Sequence, residues 1–335
     1  MGKIKNRIIS LAAACLFAVG LLPSAVSADD EPILFVNGKD IIAAENNTVQ
    51  CGTGKAVYDA ATHTLTLDNA QITEHTKDGD MPTTGRGAIY AMYTPLNIVL
   101  VGDNSIDIDG DNYQYAYGIY VWEQNLTISS ENKGSLTIAS NNRTIEAQGK
   151  VTIDNVSLDL TAAKADCDGM GGESFEIKSS GIKLRSDSWG IYSENDFNVS
   201  DSKFDIQSPL NNIMVDEGKL TASNTKFYVK NTVGGCAIYA GKDITIENGS
   251  YVEAESEPDC AIFTPGNIKL DNSEFHLKGW YPGIMSGGDM EIKDSKVESK
   301  STNDIGIWSR SNLTIIGNSE VKSNGIGAAG EFAIE

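Results

Sequence analysis

The chain has 335 residues, with 46 Asp and Glu against 26 Lys and Arg, and a formal net charge of −20 at pH 7. So acidic a protein repels nucleic acid and anionic membranes, because it cannot release counterions from phosphates. The same charge disfavours a polyanionic ligand such as pectate, unless a divalent cation bridges the two. We therefore expect no nucleic-acid partner.

Residues 1–28 predict a secretory signal peptide. Lys3, Lys5 and Arg7 precede an apolar run at 8–22, and Val26-Ser27-Ala28 supplies a small-residue cleavage site. The run is too short for a membrane span, and no later stretch reaches that length. We expect a secreted, extracellular and monomeric protein, either released or held non-covalently at the cell surface.

Residues 29–73 predict an N-terminal cap followed by a first coil. The stretch "ILFVNGKDI" contains an Asn-Gly turn signal and is expected to cover the open end of a core. The next block, "AVYDAATHTLTLDNAQIT", predicts one strand at 64–67 and another at 71–73.

Residues 74–335 carry an internal repeat of about 23 residues. Its anchor is a small residue, then Ile, then an aromatic residue or Met, and from Ile191 onward the spacings are 22, 25, 24, 22 and 23 residues. The anchors are Ala88-Ile89-Tyr90, Gly118-Ile119-Tyr120, Gly190-Ile191-Tyr192, Asn212-Ile213-Met214, Ala237-Ile238-Tyr239, Ala261-Ile262-Phe263, Gly283-Ile284-Met285 and Gly306-Ile307-Trp308, with Ile145 as a degenerate member.

Each anchor is followed by two more short alternating runs, such as "ITI" at Ile244 and "SEFHL" at Ser273. Period-2 alternation bounded by Gly, Asn, Asp and Ser indicates strands, and three strands per repeat without a helix indicate a coil. A propeller blade needs four strands in some 40 residues, and the pattern of a leucine-rich repeat is absent. The prediction is an all-β, right-handed parallel β-helix (a single-stranded solenoid) of about ten coils.

Asn or Asp recurs just before each third strand, where a left-handed turn conformation is expected. Stacked side chains there would form a ladder between coils, as in the right-handed β-helices of the pectate lyases that the chain resembles. The positions are Asn69, Asn104, Asn155, Asp201, Asn224, Asn248, Asn272, Asp294 and Asn318.

Two segments suggest metal binding or a projecting element. Asp107, Asp109 and Asp111 alternate in "DNSIDIDGDN" and begin like an EF-hand loop, although the rest of that pattern fails. We expect either a calcium site or a polar strand face followed by a turn there. Residues 162–188 lengthen one repeat interval and predict an insertion, which is either a β-hairpin arm or a degenerate coil.

The residue after each anchor Ile faces outward if the Ile faces inward, so the rings should form one column on a single face. Aromatic platforms bind sugars by stacking on pyranose rings, and exposed apolar stripes mark interaction surfaces. The alternative is that the column is covered by loops or faces inward. The candidate ligand-binding residues are Tyr90, Tyr120, Trp122, Tyr192, Tyr239, Phe263 and Trp308.

No catalytic residues are assigned. The Asn-Thr-Asp, Asp-Asp, His-Gly and Arg-Ile-Lys motifs of polygalacturonase-like β-helices do not occur, and no Arg lies in a recognisable lyase motif. Cys236 and Cys260 share one register in adjacent repeats and are expected to face inward, as stacked thiols or as a disulfide.

The block formed by Tyr58-Asp59, Thr62, residues 64–67 and Asn69-Ala70, together with the "VNG" strand, resembles secreted β-helical proteins of Gram-positive bacteria in the pectate-lyase-like superfamily. The resemblance covers nearly the whole chain after the signal, and some of these relatives are classed as carbohydrate-binding domains. It implies a non-catalytic, polysaccharide-binding or cell-surface protein that takes a plant cell-wall, host or bacterial glycan, without a cofactor unless calcium assists. A polysaccharide lyase or glycoside hydrolase with an unrecognised site and an adhesive stalk that binds a protein remain as alternatives.

Overall fold

Short strands follow one another through the computed structural model, which describes residues 31–77, 86–108, 116–162, 164 and 167–335. The N-terminal part contains β1 (Ile33–Val36), β2 (Lys39–Asp40), a 3-10 turn (Glu45–Asn47), β3 (Thr48–Cys51), β4 (Gly54–Asp59), β5 (Thr64–Asp68) and β6 (Gln71–Ile72). The next coils contain β7 (Arg86–Met92), β8 (Leu96–Val101), β9 (Asp103–Asp107), β10 (Ala116–Trp122), β11 (Leu126–Ser129), β12 (Ser135–Ser140), β13 (Ile145–Asp154), β14 (Ser157–Ala162), β15 (Met170–Lys178), β16 (Gly181–Arg185), β17 (Ile191–Ser193), β18 (Phe197–Ser200) and β19 (Lys203–Gln207).

The C-terminal coils repeat the same three-strand unit. They contain β20 (Ile213–Val215), β21 (Leu220–Ser223), β22 (Lys226–Asn231), β23 (Ile238–Ala240), β24 (Ile244–Glu247), β25 (Tyr251–Ser256), β26 (Ile262–Thr264), β27 (Ile268–Asp271), β28 (Glu274–Gly279), β29 (Ile284–Ser286), β30 (Met290–Lys293), β31 (Lys296–Ser301), β32 (Ile307–Ser309), β33 (Leu313–Ile316), β34 (Glu320–Ser323), β35 (Ile326–Ala328) and β36 (Phe332–Ile334).

The repeated strands stack in parallel, each on its equivalent one coil away, as predicted. Within the described residues, first and second strands share a 25-stranded sheet, and the third strands form an 11-stranded sheet. The protein is thus a parallel β-solenoid, and its number of coils differs slightly from the ten expected. No helix among the described residues is long and apolar enough to cross a membrane.

Antiparallel strands close the N-terminal end of the stack. β1 and β2 form the predicted Asn-Gly hairpin, because Asn37 and Gly38 both have positive φ, at 52° and 69°. β1 then pairs antiparallel with β7, and β4 pairs antiparallel with β5, which is the first strand to pair parallel with a later coil. Backbone groups at this end of the sheet are therefore hydrogen-bonded by strands that do not continue the repeat.

The anchor isoleucines form the core, as the repeat predicts. They occupy one register from Ile89 to Ile307 and are fully buried. Phenylalanines of neighbouring coils also stack inside, with ring centroids of Phe204 and Phe227 5.1 Å apart. Burial of each such side chain contributes roughly 1.5–3 kcal/mol, and each coil contacts only its neighbours.

Within the 162–188 segment, the described residues from 167 onward form a coil, which is the second of the two alternatives left open by the sequence. β15 pairs with β13 on one side and with β17 and β18 on the other, and Met170 occupies the anchor register between Ile145 and Ile191. β16 stacks between β14 and β19. The sequence pattern did not identify this anchor, because Met170 lies between two glycines and has no aromatic residue after it.

The turns before the third strands adopt the predicted left-handed conformation at most of the Asn and Asp positions. Positive φ occurs at Asn69, Asn155, Asp201, Asn224, Asn248, Asn272 and Asp294. The prediction is wrong at two places. Asn104 is buried within β9 while Gly102 takes the positive φ, and Gly317 takes that conformation in place of Asn318.

The ladder between these turns consists mainly of hydroxyls, which corrects the expected amide ladder. Asn224 does donate to the Asp201 carboxylate at 2.7 Å. The recurring contact, however, lies one or two residues later, where a backbone N–H donates to the Ser hydroxyl of the next coil. It occurs from Val156 to Ser180, Ser180 to Ser202, Thr225 to Ser250, Ser250 to Ser273, Ser273 to Ser295 and Ser295 to Ser319.

Candidate functional site

The outward residues next to the anchors form one column along the solenoid, which we call the aromatic column. Register pairing runs from Tyr90 through Tyr120, then from Tyr192 through Met214 and Tyr239 to Phe263, and on through Met285 to Trp308. Equivalent residues in neighbouring coils are about 4.8 Å apart. The rings of Tyr239 and Phe263 lie 5.9 Å apart between centroids. A long ligand laid across the coils would meet a side chain of this column at each turn.

The N-terminal part of the column is covered. Tyr90 is fully buried and Tyr120 is 6% exposed, and both belong to a separate apolar cluster on the outer face. Trp122, which was predicted as a ligand residue, packs against this cluster together with Ile33 of the antiparallel strand β1. These predicted residues therefore contribute to packing, and the accessible part of the column starts further along the chain.

The C-terminal part of the column opens into a cleft of about 540 Å³, which we call the aromatic cleft. Phe263, Met285 and Trp308, from three successive coils, are lining residues that belong to the column. Tyr281, from the turn before β29, also lines the cleft and is 51% exposed. The aromatic cleft thus combines three ring side chains and a thioether on a surface open to solvent.

Polar groups border the same rings. Asp259, Asp304 and Arg310 line the aromatic cleft, and Asp304 and Arg310 are exposed. Carboxylates accept hydrogen bonds and a guanidinium donates them. An apolar surface with a few convergent polar groups is the usual composition of a small-ligand site, so the cleft can stack a ring and bond its hydroxyls.

A charged cluster interrupts the aromatic column between Tyr120 and Tyr192. Arg143 donates to Glu146 at 2.6 Å and, through Nε and Nη2, to Asp168 at 2.9 and 2.5 Å. Burial raises the pKa of Glu146, and Arg143 opposes that shift. We call these three residues the Arg143 cluster.

Gly171 makes room for the Arg143 cluster. Glu146 and Gly171 occupy successive positions of the column register, where other coils carry a ring or Met. A Cβ added at Gly171 would lie 2.2 Å from a Glu146 carboxylate oxygen and 2.7 Å from Arg143 Nη1. The two coils that carry Glu146 and Gly171 in place of a ring or Met therefore accommodate an ion-pair network on the face of the aromatic column.

A family model described as a carbohydrate-binding domain-containing protein matches residues 42–325. The chain belongs to this family. No curated protein and no solved structure gives a significant match. The family description assigns carbohydrate binding in general terms, so the question for this carbohydrate-binding protein becomes which surface takes the sugar.

A second surface of this carbohydrate-binding protein also carries rings. On the sheet of third strands, Tyr228, Tyr251 and His276 follow one another, with centroid distances of 5.6 and 5.5 Å. They line a groove of about 590 Å³ that we call the tyrosine groove. Lysines and glutamates pair along it, for example Lys278 with Glu255 at 2.6 Å. Most charges in the tyrosine groove are thus already paired with one another.

Sequence reasoning did not single out the tyrosine groove or the Arg143 cluster. The signal for the groove was present, since Tyr228, Tyr251 and His276 all occupy solvent-facing positions of third strands. The Arg143 cluster had no such signal, because Arg143 and Asp168 are 25 residues apart and meet only across two coils.

The predicted calcium ligands remain a prediction. Asp107 is exposed at the end of β9, and Asp109 and Asp111 lie outside the described residues.

Proposed function

We propose that the protein is a secreted, non-catalytic binder of neutral polysaccharide, which it holds along the accessible part of the aromatic column. The observation that carries the proposal is the aromatic cleft, where Phe263, Trp308 and Tyr281 line an open surface beside Asp304 and Arg310. Pyranose rings present apolar C–H faces that pack on aromatic rings, and their hydroxyls bond to charged side chains. The membership of a carbohydrate-binding family supports the same reading.

The repeat geometry favours a polymer over a small sugar. Tyr192 and Tyr239 are partly exposed in the coils that precede the cleft, so the ligand surface extends over several coils. Several weak contacts with one glycan chain together raise its affinity, because every contact after the first is made within the same complex. The net charge of −20 favours a neutral glycan, and a polyanion such as pectin would need a bridging cation.

Secretion is part of the proposal and is supported by the signal-peptide pattern of residues 1–28. The finer kinship with pectate-lyase-like proteins of Gram-positive bacteria is likewise a proposal, supported by the Tyr58-Asp59 block and the parallel coils.

A pull-down of the purified protein on insoluble cellulose, xylan and pectin, with calcium and with chelator, tests the proposal. We expect retention on a neutral polymer without released sugar. The double substitution Phe263→Ala and Trp308→Ala should abolish retention. The matched control is Tyr228→Ala with Tyr251→Ala, which removes two rings from the tyrosine groove and should leave retention unchanged. Loss of binding in the control alone would assign the sugar to the other sheet and refute the proposed surface.

A second candidate function, glycan cleavage, is favoured by the Arg143 cluster. A carboxyl whose pKa is raised by burial, beside a second carboxylate, is the arrangement that general acid catalysis of glycoside cleavage requires. Glu146 lies in the register of the aromatic column, so a glycan on that face would pass close to it. Released reducing or unsaturated sugar in the pull-down, lost on Glu146→Gln, would establish this function in place of simple binding.

A further inference from the structure

Two cysteines and an aspartate come together at the edge of the aromatic cleft. Cys236 precedes β23 and Cys260 precedes β26, two strands that pair in register. One ligand atom from each of Cys236, Asp259 and Cys260 lies within 4.8 Å of the other two. Residues from adjacent coils thus present two sulfurs and one oxygen to a common point, which we call the cysteine cluster.

The cysteine cluster borders the cleft. Cys260 and Asp259 both line the aromatic cleft, and both cysteines are buried, as the repeat predicts. Both thiols are only 3% exposed, whereas Asp259 is partly exposed. The cluster therefore has donor atoms that are largely desolvated and an opening through which a small ion can enter.

The chemistry of the donors selects the ligand. Thiolates bind soft and borderline cations, while calcium and magnesium take oxygen ligands. Each thiol must lose its proton to bind a metal, so binding releases protons and depends on pH.

We propose that Cys236, Asp259 and Cys260 form a binding site for a thiophilic divalent cation of the zinc class. Zinc–sulfur bonds of about 2.3 Å and zinc–oxygen bonds of about 2.0–2.2 Å place tetrahedral ligand atoms about 3.5–3.8 Å apart. The donor atoms of the cluster lie within 4.8 Å of one another, so a bound cation would have to draw them closer together to reach this spacing. Three protein ligands leave the fourth position to water on the side of the aromatic cleft.

A disulfide between Cys236 and Cys260 is the alternative to a metal-bound state of the two thiols. Equivalent residues in adjacent coils have Cα atoms about 4.8 Å apart, which is within the range for a disulfide. Both sulfurs are unoxidised in this structure. A bound cation would hold them reduced, whereas a disulfide would remove both sulfur ligands at once, so the two states exclude each other.

Titration of the reduced, full-length protein with cobalt(II) and then zinc tests the site. We expect a thiolate-to-cobalt charge-transfer band that saturates at one equivalent and is lost when zinc displaces cobalt. Cys236→Ser and Cys260→Ser should each lower zinc affinity by at least about 100-fold, more than the 10–100-fold typical of outer-shell changes. Asp259→Asn should lower the affinity while leaving the charge-transfer band detectable.

Cys51→Ala is the matched control, because Cys51 is a buried cysteine of β3 and lies outside the cluster. It should bind cobalt and zinc as the unsubstituted chain does. The proposal is overturned if the reduced protein gives no charge-transfer band, or if Cys236→Ser binds zinc with unchanged affinity. It is also overturned if the protein as isolated carries a Cys236–Cys260 disulfide by mass spectrometry. None of these results depends on whether the aromatic cleft binds sugar.

Discussion

The backbone N–H of Ser250 donates a 3.2 Å hydrogen bond to the hydroxyl oxygen of Ser273, one coil further along the solenoid. Ser273 in turn donates its own N–H to Ser295 at 3.1 Å, and its hydroxyl donates to the carbonyl of Asp271 at 2.8 Å. Each hydroxyl thus satisfies a buried backbone donor that the parallel strands on either side cannot reach. Hydrogen bonds from backbone N–H groups to serine hydroxyls therefore link the turns of adjacent coils.

Ser273→Ala is therefore expected to destabilise the protein by about 1–3 kcal/mol, because the N–H of Ser250 loses its acceptor in a buried position. The midpoint of urea unfolding measures the effect. Ser157→Ala is the control, since Ser157 is an exposed residue at the start of β14. Equal shifts of the midpoint in both variants would show that the serine ladder does not stabilise the turns.

Arg143→Met is expected to lower the free energy of unfolding by on the order of 2 kcal/mol. Loss of one partner from a fully buried ion pair costs roughly 3–5 kcal/mol, and partial exposure reduces that cost. The side chains of Arg143, Glu146 and Asp168 are 24%, 16% and 11% exposed. Arg185→Met is the control, because its ion pair with Asp205 is more exposed, at 31% and 43%, and should cost less.

The same variant should show an altered pH dependence. Burial raises the pKa of Glu146 above its ordinary value of 4.5, and Arg143 opposes the shift. Without Arg143 that pKa rises further, so the folded state binds a proton that the unfolded state has already lost, and stability falls as the pH rises above 4.5. The deficit of Arg143→Met should be largest at neutral pH and shrink on acidification. A deficit that does not vary with pH would contradict this.

Tyr90→Ala and Tyr239→Ala should separate packing from ligand binding. Tyr90 is fully buried, so its loss is expected to cost about 3–5 kcal/mol, as for other buried aromatic residues. Tyr239 is partly exposed in the aromatic column, so its loss should weaken glycan retention and change stability little. Urea unfolding and the polysaccharide pull-down, applied to both variants, measure the two effects. Reduced retention in a fully folded Tyr90→Ala would show that the covered part of the column also binds sugar.

Asp243→Asn should weaken the acid sensitivity of the fold. The backbone N–H of Asn267 donates to Asp243 at 3.0 Å and Lys219 pairs with it at 2.9 Å, and these contacts lower the pKa of Asp243 below its ordinary value of 3.8. A lowered pKa stabilises the folded state above 3.8 and is lost as the pH falls through the folded value. The unfolding midpoint of Asp243→Asn should therefore fall less steeply with acidification. Asp187→Asn, at an exposed position, should follow the unsubstituted protein.

The local sequence pattern was sufficient to predict most of the coils. It was insufficient for the coil whose anchor residue departs from that pattern. The coils of Ile191 and Ile262 were predicted because a small residue and an aromatic residue flank each isoleucine. Met170 did not, since it lies between glycines, and yet it takes the same buried register. The turn asparagines were predicted from their own conformational preference, whereas the hydroxyl ladder depends on the approach of two coils, as at Ser250 and Ser273.

The sequence by itself determined the parallel solenoid, the inward isoleucines and the outward column, because side-chain alternation and turn preference act within a few residues. The tertiary structure decided which parts of the column are accessible. β1 pairs antiparallel with β7 and places Ile33 in the cluster that contains Tyr90, while the later rings border an open cleft. It also decided the Arg143 cluster, whose members are a coil apart in the chain, and it added Asp259 to the two cysteines that the repeat already placed in one register. Contacts of that kind follow from the stacking of coils, which alternation within one coil does not specify.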